Sequence, residues 1–355
     1  MGELIMTVSF KDVTKKFADG TIALDALNLE FNLGEFIVLL GPSGSGKTTA
    51  CRLLAGLEAP SSGQIDVNGK NITNLPPRMR EMGMVFQNYA LYSHKNIYEN
   101  IAYPLHIRKK SKAEIEKRVS DVAELLQIKK YLHRKPGQLS GGQAQRVAVA
   151  RALVWEPSIC LMDEPLSNLD ALLRLHMRTE LNRLHRSLKK TFVFVTHDQE
   201  EAMTLATRIA ILKDGKLAQF DEPRTIYREP ANRFVAEFMG RPAMNTFDGI
   251  VTNGMFESRD LKFPVDAVDG PVVVGIRPEQ IQIGAKDGAH PISLTLDVKE
   301  LIEPDMLLIF QVDGTQLTVR TSDDYSNFEA GQTITLSFPK HALHYFDAST
   351  GKRIR

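Results

Sequence analysis

The sequence predicts a layered α/β domain followed by a small all-β domain. Three observations carry this. Apolar runs of strand length alternate with helical periodicities up to about residue 240. One of those runs ends in a Gly-rich loop that opens a helix. Beyond Gly240-Arg241-Pro242, helical periodicity gives way to short alternating runs.

The first part is built on Phe36-Ile37-Val38-Leu39-Leu40, Ile159-Cys160-Leu161-Met162 and Thr191-Phe192-Val193-Phe194-Val195. Strands apolar on both faces suit a buried, largely parallel sheet. Helical patterns cover Ala113 to Leu126, Gly141 to Val154 and Ala171 to Leu188. Asp214-Gly215, between Ile209–Leu212 and Leu217–Phe220, signals a hairpin. In the second part Val272–Ile276, Ile292–Leu296, Leu307–Val312, Gln316–Arg320 and Thr333–Phe338 read as strands of a small barrel, with Asp313-Gly314 as a second hairpin. The domains are expected at 1–240 and 241–355.

Composition narrows the function classes. Of 355 residues, 43% are hydrophobic and 25% charged, an ordinary globular balance. No apolar run reaches the roughly eighteen residues that a spanning helix needs. Met1 to Phe10 has no basic leader and does not read as a signal peptide. Cys51 and Cys160 are two isolated cysteines, read as small buried apolar residues in a reducing compartment. Residues 241–355 hold 11 basic and 16 acidic side chains, net −5, against 33 and 27 before them, net +6. The mildly basic first part suits a polyphosphate; the acidic second part argues against nucleic acid as a partner.

The chemistry begins at Gly41-Pro42-Ser43-Gly44-Ser45-Gly46-Lys47-Thr48, which fits G-x-x-x-x-G-K-[ST]. Glycines let several backbone N–H groups converge on a polyphosphate, and the following helix, with Thr49 in its first turn, adds its positive end. Lys47 brings charge to the β/γ-phosphates, and the Thr48 hydroxyl is placed for Mg²⁺. Asp163 and Glu164 end a buried apolar strand. Asp163 can hold Mg²⁺ through water, and Glu164 can act as general base on the attacking water. Alone, acidic residues in this place often merely start a loop. Leu139-Ser140-Gly141-Gly142-Gln143 reads as a helix N-terminus capped by Ser140, a second anion site in the same chain.

These motifs, in this order, with Arg146 and Ala150-Arg151-Ala152-Leu153 just before the acidic strand, resemble the ATP-hydrolysing subunits of ABC transporters. The resemblance implies a P-loop ABC ATPase domain whose signature, Leu139, Ser140, Gly141, Gly142 and Gln143, binds ATP held by a second subunit. It implies that Gln87 contacts Mg²⁺ and the attacking water, that Ser167-Asn168-Leu169-Asp170 links the two sites through Asp170, and that His197 contacts the γ-phosphate. A histidine after a strand is more often structural; its place in the motif order favours catalysis here. Phe17 matches the aromatic that stacks on adenine, with a plain core phenylalanine as the alternative. Trp155 reads as packing, His94 carries no clear chemistry, and Arg108-Lys109-Lys110 reads as a solvated face.

Gly240-Arg241-Pro242-Ala243-Met244-Asn245, Gly275-Ile276-Arg277-Pro278-Glu279-Gln280 and Phe346–Lys352 resemble the OB-type, transport-associated barrel of carbohydrate-importer ATPases, the maltose and glycerol-phosphate type. Met84–Tyr92 also resembles that branch, whereas Ser93-His94-Lys95-Asn96 and Leu301–Met306 depart from it. The implied partners are a second ATPase subunit, two membrane permeases contacted near residues 88–100, and a periplasmic or extracellular solute-binding protein reached through the permeases. The implied place is peripheral, at the cytoplasmic face of the membrane. The cargo is expected to be a sugar, sugar oligomer, glycerol or glycerol phosphate; polyamine, ferric iron, sulfate and phosphonate importers share the general design. A soluble ABC protein acting on ribosomes or DNA is a remote alternative, since it usually carries two motif sets or a coiled-coil insertion.

Overall fold

The computed structural model describes residues 7–285 and 289–354, so residues 1–6 of the stretch read as lacking a leader lie outside it. The chain divides into two compact units, Met1–Arg224 and Thr225–Arg355.

In the first unit the strands are β1 (Thr7–Lys16), β2 (Ile22–Asn32), β3 (Phe36–Leu40), β4 (Ser62–Val67), β5 (Lys70–Asn71), β6 (Met82–Val85), β7 (Ile159–Asp163), β8 (Thr191–Thr196), β9 (Arg208–Lys213) and β10 (Lys216–Asp221). Its helices include α1 (Lys47–Ala55), α2 (Ile97–Ile107), α3 (Lys112–Leu125), α4 (Gly141–Leu153), α5 (Ala171–Leu188) and α6 (Gln199–Leu205). Among the described residues, six strands form a sheet in the order β10-β9-β3-β8-β7-β6. Its pairings are parallel except for the β9–β10 hairpin, whose turn places Asp214 at φ 48° and Gly215 at φ 76°. Every residue of β3, β7 and β8 is buried, as continuous apolar runs require. Because these strands are parallel, they deliver their carboxyl ends to one edge, where α/β sheets bind ligands.

A second, antiparallel sheet, β2-β1-β4-β5, is absent from the sequence reading. The cause is local. Register shifts follow Phe10, and Asp12 and Ala26 adopt φ of 48° and 46°, so the apolar alternation loses its period of two. Both sheets share one core, in which Phe10, Leu27 and Ile65 meet Leu39 and Val193. Arg108 is not simply solvated: its guanidinium lies 3.7 Å over the Trp155 ring, so the two side chains pack as a cation–π pair.

Among the described residues, the second unit holds two antiparallel sheets around one core, with Phe247, Val274 and Phe263 from one meeting Leu308, Leu317 and Phe338 from the other. Two short helices, Pro223–Arg228 and Arg233–Phe238, precede the expected position 240. The fully buried Arg277 guanidinium donates to the carbonyls of Tyr227, Ala236 and Met239, which draws residues 225–240 onto the strands that follow. Among the described residues, no helix is long and apolar enough to cross a membrane.

Candidate functional site

The loop between β3 and α1 can be built only with glycine at two positions. A Cβ on Gly41 would stand 2.3 Å from the Leu212 carbonyl oxygen, and one on Gly46, at φ 97°, 2.3 Å from that of Ala23. Gly44, at φ 79°, faces open space but needs left-handed backbone. Pro42, Ser43 and Gly44 form an exposed rim; Ser45 and Lys47 are buried beneath it, and Thr48 and Thr49 are half-buried in the first turn of α1. Lys47 Nζ donates to the carbonyls of Gly41 (2.9 Å) and Pro42 (2.8 Å) and to Ser45 Oγ at 3.4 Å. Burial pulls the Lys47 pKa down, while Glu164 and Asp163 push it up. The ammonium is therefore tied to the loop's own carbonyls beneath its exposed rim, where two carboxylates favour its charged form, a suitable setting for a polyphosphate.

Asp163 ends β7. Its Oδ1 accepts from the Thr48 hydroxyl at 2.9 Å, and its Oδ2 lies 3.9 Å from Arg52 Nε. Burial raises the Asp163 pKa; the Thr48 hydrogen bond, then Arg52, oppose this. Glu164 has φ 46°, an unfavourable backbone for a residue with a Cβ, and its N–H is tied to the Val195 carbonyl of β8 at 3.1 Å. That turn brings Oε1 to 3.5 Å from His197 Nδ1, at the outer limit of a hydrogen bond. Strained backbone held by a neighbouring strand is a way to aim a reactive side chain.

Gln87 follows β6 on the exposed side of this group. Its Nε2 donates to Ser167 Oγ at 3.4 Å, and its carbonyl accepts from Asn168 Nδ2 at 3.2 Å. The Ser167 hydroxyl in turn donates to the Glu164 carbonyl at 2.9 Å. Gln87, Ser167, Glu164 and His197 thus form one chain of contacts beside Lys47, Thr48 and Asp163. Phe17 is 38% exposed, on the turn after β1, and Lys15 Nζ sits 5.0 Å over its ring. It is not a core phenylalanine, so the packing alternative falls.

The signature segment stands apart. Among the described residues, no hydrogen bond or ion pair joins 139–143 to 41–48. Leu139 and Gln143 are half-buried, Gly142 is buried, and Ser140 and Gly141 are exposed at the start of α4. Ser140 N donates to Gln143 Oε1 at 3.2 Å. A Cβ on Gly142 would meet Leu173 Cδ1 at 2.8 Å, so glycine lets this helix start lie against α5, whose N-cap is Asp170, accepting from Leu173 N at 2.9 Å.

Sequence reasoning missed three contributors. Arg52, four residues after Thr48 on the same face of α1, is legible from helical spacing. Glu201 is buried, accepts from Thr196 Oγ1 at 2.6 Å and lies 3.8 Å from Arg174 Nε, which braces the strand end that carries His197; nothing local signals it. Arg151 is legible only as part of the Ala150–Leu153 motif; its bonds to the Tyr89 and Ala90 carbonyls are long-range.

A P-loop on a parallel sheet, with a paired acidic strand end, defines a nucleoside-triphosphate-hydrolysing protein. Residues 24–167 match the ABC transporter family and residues 274–346 the TOBE domain family. The chain is 48% identical to the osmoprotective compounds uptake ATP-binding protein GgtA of Synechocystis, over 88% of this chain and 86% of that one. It is 45% identical to the sn-glycerol-3-phosphate import ATP-binding protein UgpC of Salmonella typhi, over 96% and 98%. It is 43% identical to the oligosaccharides import ATP-binding protein MsmX of Bacillus subtilis, over 94% and 95%. The dimeric structure of MJ0796, a bacterial ABC transporter cassette, superposes with TM-score 0.56 at 34% identity, over 61% of this chain and 99% of that one. The chain belongs to the ABC transporter ATP-binding family. It is an ATPase of the transport-coupled kind, with a C-terminal TOBE domain of OB type.

Proposed function

We propose that this chain energises import of a sugar, sugar oligomer, glycerol or glycerol phosphate, and that its ATP is hydrolysed between two subunits. The carrying observation is the Glu164 turn: a left-handed carboxylate residue at a strand end, 3.5 Å from His197 and one residue from the Asp163–Thr48 pair. Gly41, Pro42, Ser43, Gly44, Ser45, Gly46, Lys47, Thr48 and Thr49 cradle the phosphates, and Phe17 offers its ring to the base. Glu164 takes the proton of the attacking water, Gln87 orients that water, and His197 contacts the γ-phosphate. Ser140 and Gly141 are exposed at the start of α4 and make no hydrogen bond to the chain's own phosphate loop among the described residues, which supports a role on a partner's ATP, with Leu139, Gly142, Gln143 and Asp170 shaping that surface.

The hard oxygen donors of Thr48 and Asp163, bonded to each other and with Gln87 in the same group of contacts, fit Mg²⁺. When bound, the ion would neutralise charge on the β/γ-phosphates. ATPase work is assigned to residues 1–240 and regulation to 241–355. The partner is a homologous or identical ATPase subunit. Two permeases dock near residues 88–100 at the cytoplasmic face of the membrane, and a solute-binding protein supplies the cargo outside.

Glu164→Gln tests the chemistry: ATP binds with wild-type affinity while turnover falls about a hundredfold or more. Normal turnover in that variant rejects the assignment. The cargo is tested with the solute-binding protein that stimulates the reconstituted complex. Tight binding of polyamine, iron or sulfate with no sugar or polyol bound moves this chain to another importer branch.

A further inference from the structure

The backbone just after Gln87 takes an uncommon path. Tyr89 and Ala90 both adopt left-handed conformations, φ 59° and 47°, which residues with a Cβ rarely do in succession. Tyr89 N–H donates to the Phe86 carbonyl at 2.9 Å and Ala90 N–H to the Asn88 carbonyl at 2.7 Å, so the turn is tight. Both of its carbonyls are taken by one side chain. Arg151 donates Nη2–H to the Tyr89 oxygen at 2.8 Å and Nη1–H to the Ala90 oxygen at 2.7 Å. Its guanidinium also lies 5.6 Å from the centre of the Tyr92 ring. Two neighbouring acceptors matched by two fixed, coplanar donors is a recognition that Lys cannot reproduce.

Arg151 stands on α4, about three turns beyond Gly141 at the start of the signature helix. The next stretch is held by something else: Asn100, fully buried on α2, accepts from Tyr92 N and donates to the carbonyls of Tyr92, Lys95 and Asn96. Arg151 therefore acts on the short turn between Gln87 and Tyr92. Among the described residues the Gln87 side chain has only the 3.4 Å contact with Ser167 to steady it, so its placement follows its backbone.

We propose that Arg151 is a positioning residue for hydrolysis: by clamping the Tyr89–Ala90 turn, it ties the position of Gln87 in one ATP site to the signature helix that serves the other. The inference rests on the proposed roles of Gln87 and of residues 139–143. A helix that shifts as it engages the partner's ATP carries Arg151 with it, and the turn carries Gln87. Each chain thereby makes its own site sensitive to engagement of its neighbour's.

The test uses the full chain with Arg151→Lys, which keeps the charge and loses the paired donors. Turnover, KM for ATP, the melting temperature and amide hydrogen exchange at residues 88–92 are measured together. The expected result is a kcat lowered about tenfold with KM within about twofold, because misplacement of an orienting group spares binding. Exchange at residues 88–92 rises, and the melting temperature changes little. Adding Ala90→Gly, which removes the Cβ penalty of left-handed backbone, restores most of the lost kcat. Wild-type kcat in Arg151→Lys overturns the proposal. So does a loss of kcat that only tracks loss of folded protein and is not recovered by Ala90→Gly. Gln87→Ala separates the two levels: wild-type turnover there removes the role of Gln87, whereas slow Gln87→Ala beside normal Arg151→Lys removes the clamp alone.

Discussion

The Thr48 hydroxyl donates to Asp163 Oδ1 across 2.9 Å, joining the phosphate loop to the acidic end of β7. Each side chain lies where the other needs it: the hydroxyl lowers the Asp163 pKa against the opposing effect of burial. Thr48→Val keeps the shape and removes the donor. Binding of a fluorescent ATP analogue is expected to weaken about tenfold in Mg²⁺ and to stay unchanged in EDTA, since charge-assisted oxygen contacts are lost only where an ion uses them. Equal affinities for wild type and variant in Mg²⁺ refute the placement of the ion at Thr48.

Gly44 and Gly46 make a contrast. Both have positive φ, 79° and 97°, but only the Gly46 Cβ would strike backbone, at 2.3 Å. Gly44→Ala is expected to cost about 1–2 kcal/mol for the left-handed residue alone. Gly46→Ala displaces the loop from Ala23 and abolishes nucleotide binding. Urea unfolding and nucleotide titration of the two variants check this pair.

Arg80 holds the first unit together away from the chemistry. Its guanidinium, 6% exposed, donates to the carbonyls of Leu53 and Leu54 at the end of α1 and to those of Thr73 and Leu75. Arg80→Met leaves several acceptors unmet, at about 3 kcal/mol. A lowered urea midpoint with unchanged ATP affinity is the expected result.

His344 makes the second unit sensitive to acid. Its ring is buried, Nδ1 has no hydrogen-bond partner among the described residues, and burial followed by Arg353 and Arg277 pushes its pKa from 6.5 down to about 4. Above 6.5 neither folded nor unfolded chain carries the proton, and stability is full. Between 6.5 and about 4 the unfolded chain takes up a proton that the fold refuses, so stability falls with pH, by up to ~3 kcal/mol, then levels off. His344→Gln removes this slope. Unfolding midpoints from pH 4 to pH 7 follow it directly.

Legibility tracked locality. The buried strands Phe36–Leu40 and Ile159–Asp163 and the helices that follow could be read because one apolar run or one period specifies each. The same holds for Lys47, Thr48, Asp163 and Glu164, which stand at fixed spacings within local motifs. The antiparallel sheet was not readable, since the shifts around Asp12 and Ala26 break its alternation. Glu201 and Arg151 were not readable as functional because their partners, Arg174 and the Tyr89–Ala90 turn, are distant in sequence. The packing of residues 225–240 was not readable, because the buried Arg277 that gathers them comes long after them in the chain.

On the proposed function, each ATP is completed by a second subunit. The most direct measurement is the structure of full-length Glu164→Gln trapped with ATP and Mg²⁺. The expected result is a γ-phosphate near Lys47 of one copy met by the Ser140 hydroxyl and the amides of Gly141 and Gly142 of the other. A γ-phosphate enclosed by one chain alone, with residues 140–142 turned to solvent, would contradict it.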